Sequence, residues 1–303
     1  MKGFRILFCS LVDRHAHRTP AEVNCDNDPL DRMNETRSVD MPTMLPMISI
    51  ITPSLNQGRF LTRNIQSVLG QNYPNVEHIV IDGGSNDETI EVLENHPHLI
   101  WASEPDRGQA HALNKGFAMA RGDVVAELDV DDELTPGALA AVGQAAVENG
   151  GGKVILGAVE LVHEGRPLRI MRNRPHGFFR NLNPWIPHSN FSQPGVFLPK
   201  SILDSIGELD EGLSYTMDYD LFCRILKQGC EFSWLDRVVA RYHLHPQSKT
   251  GKGWRVMYSE LDAVTLRHAQ SLQKFPRILF GLSFTLLRPL MRNLSRIVLP
   301  PVH

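Results

Sequence analysis

Residues 47–52, Met-Ile-Ser-Ile-Ile-Thr, form a short apolar run closed by Pro53. Such a run is the pattern of a strand buried on both faces of a parallel sheet. Apolar positions then widen to helical spacing at Phe60, Ile65, Val68 and Leu69. The alternation repeats. Residues 76–81 predict a second strand ending at Asp82, residues 89–94 a helix, and residues 99–102 a third strand. Residues 108–121 have a helical period, with Gly122 placed as a C-cap. A fourth strand is predicted over residues 124–128, ending at Asp129. Pro136 opens the next helix, whose apolar stripe is Leu139, Val142 and Val147, because proline belongs in a first turn. Residues 217–228 read as a helix that turns Leu221, Phe222, Ile225 and Leu226 inward. Strands separated by single helices imply βαβ units, hence an α/β fold around a mostly parallel sheet.

The two ends break the pattern. Residues 1–45 are polar, without helical or strand period, and are expected to be a disordered leader. The apolar run at residues 6–12 follows Lys2 and Arg5, but no small-residue cleavage site precedes Asp13, so no signal peptide is expected. Beyond Asp262 there is no acidic residue, while Arg267, Lys274, Arg277, Arg288, Arg292 and Arg296 alternate with apolar clusters. Residues 256–303 therefore read as a basic, apolar helical tail. Residues 275–299 can lie on an anionic membrane surface, or the tail can pack on its own core or on a second subunit as a homo-dimer. No apolar run reaches the roughly 20 residues that span a bilayer.

Composition narrows the classes. With 34 acidic against 31 basic side chains the net charge is −3, which excludes a globally basic nucleic-acid binder. The four cysteines, Cys9, Cys25, Cys223 and Cys230, are too scattered for a disulfide framework or a zinc knuckle, and reduced thiols in a cytoplasmic protein are expected.

In a parallel sheet, ligands bind beyond the carboxyl ends of the strands. Here those ends carry Thr52-Pro53-Ser54-Leu55-Asn56, then Asp82-Gly83-Gly84-Ser85-Asn86-Asp87, then Glu104-Pro105-Asp106-Arg107-Gly108, then Asp129-Val130-Asp131-Asp132. Three consecutive strands deliver carboxylates to one edge. Crowded carboxylates repel and lose hydration unless a cation joins them. Mg2+ or Mn2+ binds one or two carboxylates and completes its shell with phosphate oxygens and water. A metal-bound, phosphorylated ligand follows. Neither a Gly-x-x-x-x-Gly-Lys-Ser/Thr loop nor a Gly-x-Gly-x-x-Gly after the first strand is present, which disfavours P-loop and Rossmann dinucleotide sites.

Over residues 46–250 the chain resembles the family 2 glycosyltransferases, inverting enzymes of the GT-A fold. The likeness rests on the four loops above, taken in order, with Asn114-Lys115-Gly116, Pro136-Gly137, Met217-Asp218-Tyr219-Asp220-Leu221 with Arg224, and His245-Pro246-Gln247-Ser248-Lys249-Thr250. The resemblance implies a donor half at residues 46–150 and an acceptor-side half at residues 151–255. It implies a nucleotide diphosphate sugar as donor and a saccharide or lipid-linked acceptor, and the basic tail suggests that the acceptor is presented at the inner face of the cytoplasmic membrane. Thr52, Pro53 and Ser54, with Asn56, resemble the loop around base and ribose, and Asp82 the carboxylate on the base, beside Gly83 and Asp106. Asp129-Val130-Asp131 looks like the Asp-x-Asp motif, with Asp131 the direct metal ligand and Asp129 nearer the sugar. Asp132 is similar to an extra acid of many members. His245 resembles the histidine that completes the metal or diphosphate site, with His243 a competitor. Asp218 resembles the general base. The usual pair there is Glu-Asp, and Met217 replaces the Glu.

Plainer readings exist. Asp82 and Asp87 also suit a turn and a helix cap, Asp218 and Asp220 suit helix N-terminal charges, and His245 suits a turn. Trp185, His188 and Phe191 suit loop packing as well as an acceptor groove. A haloacid-dehalogenase-type phosphatase also places Asp-x-Asp after an apolar strand, but leaves the Asp82 loop without a role. A non-catalytic nucleotide-sugar-binding module is the other alternative, prompted by Met217.

Overall fold

The computed structural model describes residues 44–173, 191–249 and 253–269. The leader to residue 43, Trp185 and His188, Cys9 and Cys25, and the tail from residue 270, including residues 275–299, lie outside the described residues.

Strand β1 (Ile48–Ser54) is buried along its whole length and lies inside the sheet. It pairs in parallel with β2 (Val76–Asp82) on one side and β4 (Val124–Glu127) on the other, and β3 (Ile100–Ser103) extends the parallel set beyond β2. Helices α1 (Gly58–Leu69), α2 (Thr89–Glu94) and α3 (Gln109–Met119) make the crossovers. The register sets Ser54 beside Asp82 and Asp82 beside Ser103, so three loops leave the same edge side by side.

The second half of the sheet is mixed. After β5 (Glu133–Leu134) and α4 (Ala138–Glu148) come β6 (Val154–His163), its hairpin partner β7 (Arg166–Met171), a 3-10 turn at Gln193–Gly195, β8 (Val196–Pro199), α5 (Lys200–Ile206), α6 (Met217–Lys227), β9 (Phe232–Leu244) and α7 (Trp254–Ala269). The strand order is β3-β2-β1-β4-β8-β6-β9-β5, with β7 on β6. Strand β8 runs antiparallel to both β4 and β6, whereas β9 runs parallel to β6.

Side chains alternate across β1 and β2, so the sheet has a core on each face. Ile51, Ile79 and Ile81 pack with Leu113 of α3, with Leu221, Phe222 and Ile225 of α6, and with Leu261 and Val264 of α7. Ile48 and Ile50 face Val142 of α4 with Phe197 and Val239. Under α1, Leu61 and Ile65 meet Val80, Leu93 and Val130.

Two local expectations are corrected. Gly122 is not a C-cap: α3 ends at Met119 and Ala120 is already extended. Gly122 is needed for closeness, since a Cβ there would lie 2.6 Å from Ser49 Oγ, to which its N–H donates at 2.9 Å. The helix after Pro136 starts only at Ala138, because Gly137 takes a left-handed backbone at its N-cap.

Candidate active site

A cleft of about 420 Å3 opens at the carboxyl edge of the parallel strands. Pro53 and Ser54 line it from β1, Asp106 and Gln109 from the β3–α3 connection, and Glu127 and Asp129 to Asp131 from the end of β4. The second half of the chain adds Gln193, Tyr215, Met217, Asp218, Tyr242, Lys249 and Met257.

The acidic loop after β4 is tied down by α1. Asn64 Nδ2 donates to the Asp129 carbonyl at 3.0 Å and to the Asp132 carbonyl at 3.1 Å. One turn on, Ser67 Oγ accepts the Leu134 N–H, and Gln71 Nε2 donates to the Thr135 carbonyl. Asn64 and Ser67 share one face of α1 and Gln71 follows just past its end, so these polar side chains together satisfy the backbone of the loop. Arg63 adds a bond to the Asp131 carbonyl at 2.6 Å.

Held this way, Asp129, Asp131 and Asp132 each bring a carboxylate oxygen within 4.8 Å of the others. Asp131 Oδ2 lies 2.9 Å from His245 Nε2, and the His245 ring packs against Phe60 at 4.7 Å. Asp132 is fully buried; one carboxylate oxygen accepts the His243 N–H at 2.9 Å, and the other is buried without a partner. His243 itself bonds Glu133 at 3.0 Å, which takes its ring away from Asp131. Burial, then the neighbouring charges of Asp131 and Asp218, pushes the Asp129 carboxyl up to about 7 despite a favourable charge on Lys249. Burial, then Asp131 and Asp129, raises Asp132 as well. Hard oxygen donors, an imidazole and an unpartnered buried oxygen, all destabilised by mutual repulsion, fit a small divalent cation.

Gln109, the first residue of α3, organises the rest of the floor. Its Nε2 donates to Asp129 Oδ1 at 2.8 Å and to Glu127 Oε1 at 3.2 Å, while its Oε1 accepts from Lys249 Nζ at 2.8 Å. Burial, then the charges of Asp129 and Asp218, raises the Glu127 carboxyl well above its ordinary value. Glu127, Gln109 and Lys249 were not singled out as site residues from sequence. Glu127 closes an apolar strand and Gln109 opens a helix, so their only sequence signal is proximity to the loops.

Asp218 stands in the first turn of α6, half-buried at the cleft. Met217 is buried in the core that α6 shares with α3. Asp220 points away, paired with Arg224 at 2.9 Å and His268 at 2.8 Å.

Four expected donor residues, Thr52, Asn56, Asp82 and Gly83, are not among those that line the cleft. Thr52 is fully buried, its hydroxyl 3.0 Å from His78 Nε2. Asp82 is also fully buried; its carboxylate accepts the Gly84 and Ser85 N–H groups, the Ser103 hydroxyl at 2.6 Å and the Ser85 hydroxyl. Asn56 links the β1 and β2 loops, donating its N–H to Ser85 Oγ at 2.7 Å and accepting the Asn86 N–H at 2.8 Å. Gly83 abuts Asp106, where a Cβ would come 2.6 Å from Asp106 Oδ2. Pro53, Ser54, Asp106, Asp129, Val130, Asp131 and Asp218 share the cleft, and the Ser54 hydroxyl is buried without a partner there.

The model of the family described as Glycosyl transferase family 2 matches residues 49–207, more than half of the chain. The chain belongs to that family. Among relatives, the chondroitin synthase of Escherichia coli is 32% identical over 99 residues, 31% of this chain and 14% of that protein. An uncharacterized glycosyltransferase of Mycobacterium tuberculosis is 44% identical over 86 residues, 27% of this chain and 33% of that one. A putative teichuronic acid biosynthesis glycosyltransferase of Bacillus subtilis is 35% identical over 99 residues, 31% and 39% of the two chains. The match thus spans well under half the length of these relatives. Among solved structures, S. aureus TarS 1–349 in complex with UDP-GlcNAc aligns at TM-score 0.61 and 16% identity, over 76% of this chain and 68% of that one. The mannosyltransferase PcManGT from Pyrobaculum calidifontis, in complex with GDP-Man and Mn2+, aligns at 0.53 and 20%, over 78% and 67%. The fold is the GT-A type that the sequence predicts, and an Asp-x-Asp cluster lies at the strand edge.

Proposed function

We propose that this family 2 protein is an inverting glycosyltransferase. It moves a sugar from a nucleotide diphosphate donor to a hydroxyl of a surface polysaccharide or lipid-linked oligosaccharide. The observation that carries the reading is that Asp129 and Asp131 line one cleft with Asp218, which lies 87 residues beyond Asp131 in sequence.

Asp131, Asp129 and His245 are the residues that would hold Mg2+ or Mn2+. When bound, the cation offsets charge gathering on the leaving diphosphate. Pro53, Ser54 and Asp106 offer the wall for the nucleoside, backed by buried Thr52 and Asp82, with Asn56 and Gly83 in the adjoining loops. Lys249, fixed by Gln109, places an ammonium where the diphosphate would lie. Asp218 takes the proton of the acceptor hydroxyl as that oxygen attacks the anomeric carbon from the face opposite the leaving group. Displacement in one step inverts the configuration and needs no covalent sugar–enzyme link.

The names of the chondroitin synthase and teichuronic acid relatives support a polysaccharide product, and the UDP-GlcNAc and GDP-Man of the two neighbours support a nucleotide sugar donor. A membrane-surface acceptor would suit the basic tail, and among the described residues no helix is long and apolar enough to cross a bilayer. The phosphatase alternative needs only the acidic loop and leaves Asp218, which lines the same cleft, without a role.

A panel of UDP-, GDP- and dTDP-sugars with Mn2+, read by thermal stabilisation and then by the anomeric NMR signal of the product, tests the reading. Stabilisation by one donor class and a product of inverted configuration are expected. A retained configuration, or release of phosphate from sugar phosphates without transfer, would overturn it.

A further inference from the structure

Helix α6 starts at Met217, yet the Thr216 side chain does not cap it. The segment leading into it, residues 214–216, is held instead from α7. Glu260 accepts the Ser214 N–H on one carboxylate oxygen at 2.8 Å. Its other oxygen accepts the Tyr215 N–H at 2.7 Å, the Thr216 N–H at 3.2 Å and the Thr216 hydroxyl at 3.3 Å. Three successive N–H groups converging on one carboxylate form an anion cradle of charge-assisted bonds.

The same helix grips α6 again just beyond Asp218. Thr265 Oγ1 lies 3.4 Å from the Tyr219 hydroxyl, and His268 and Arg267 reach the Asp220 carboxylate at 2.8 Å and 3.3 Å. Between the two grips, Leu261 and Val264 are buried in the core. Asp218 therefore lies between two sets of bonds to α7. Tyr215, Met217 and Met257, the last one turn before Glu260, line the cleft beside it. The Glu260 bonds thus tie the segment that leads into α6 to the helix that forms part of the cleft wall.

We propose that Glu260 is a positioning residue. Through the backbone of residues 214–216 it sets where Asp218 meets the acceptor hydroxyl. This rests on the reading of Asp218 as the base. A misplacement of an ångström at such a group costs about a hundred-fold in rate.

The test uses the full chain with Mn2+ and whichever nucleotide sugar of the panel is turned over, UDP-N-acetylglucosamine and GDP-mannose included. Glu260→Gln keeps the shape but replaces one acceptor oxygen by an amide. It is expected to lower kcat about a hundred-fold and to leave the donor KM within about two-fold. In an Asp218→Asn background the same change is expected to cost nothing further, because Glu260 acts only through Asp218. Amide exchange at residues 214–220 is expected to speed up. If Gln impairs folding, Glu260→Asp keeps the charge, withdraws it by one methylene and carries the same split. An unchanged kcat, losses that multiply in the double variant, or unchanged amide exchange would overturn the inference. An Asp218→Asn protein of full activity would instead overturn the reading of the base, a separate result.

Discussion

His245 Nε2 lies 2.9 Å from an Asp131 carboxylate oxygen across 114 residues of chain, and the other ring nitrogen of His245 is buried without a partner. The pair joins the loop after β4 to the end of β9 at the rim of the acidic cluster. If His245 completes the cation site, His245→Ala raises the Mn2+ concentration needed for half-maximal donor stabilisation about 10- to 100-fold. A Mn2+ titration followed by thermal shift checks this; an unchanged midpoint would make the pair purely structural.

Asn64 bears on the same loop from the other side. Removing its amide leaves the Asp129 and Asp132 carbonyls short of a donor in a buried place. Asn64→Ala is expected to cost about 1–3 kcal/mol in urea unfolding and to weaken donor binding, because the acidic loop loses its fixed backbone. A variant with full stability and full donor affinity would show that β4 and β5 hold the loop unaided.

Much of this was legible in the sequence, for definite reasons. Strands β1 to β4 are short, apolar and punctuated by Pro, Gly or Asp, so both their existence and their carboxyl edge could be read. The mixed half was named only as an acceptor-side region. In β6 the run Val154–His163 is buried almost throughout, and β9 spans thirteen residues with shifts of register against β6, so neither shows a clean two-residue period. Asp131 and Asp218 line the cleft, one after the end of β4 and the other in the first turn of α6, and His245 stands against Asp131. Asp82 and Thr52 illustrate the limit: sequence places them at the edge, but the direction of a side chain depends on pleat and turn. The pleat turns Thr52 inward, and the turn wraps Asp82 in its own N–H groups. Glu260 was out of reach, since its partners lie 44 to 46 residues earlier and no local pattern marks them.

His78 gives the fold an acid weakness. It is buried on β2, and burial above all, then the charges of His98 and His96, pushes its imidazole down to about 3 from an ordinary 6.5. The unfolded chain takes up that proton first. The contribution of His78 is therefore fully present above pH 6.5 and is lost as pH falls towards 3. The slope is about 1.4 kcal/mol per pH unit, so roughly 2 kcal/mol disappears between pH 6.5 and 5. Urea unfolding at pH 7 and pH 5 should show the wild type losing about that much more than His78→Gln. Equal losses in the two proteins would mean that the imidazole is charged in the native state.

The central claim is that the acidic cluster holds a divalent cation against the diphosphate of an activated donor, with Asp218 serving chemistry alone. The most direct measurement is the Mn2+-dependent thermal stabilisation by the cognate nucleotide sugar in wild type, Asp131→Asn and Asp218→Asn. The account predicts that Asp131→Asn loses the stabilisation, while Asp218→Asn keeps it and loses transfer by at least about a hundred-fold. Undiminished Mn2+-dependent stabilisation in Asp131→Asn, or undiminished transfer in Asp218→Asn, would contradict it.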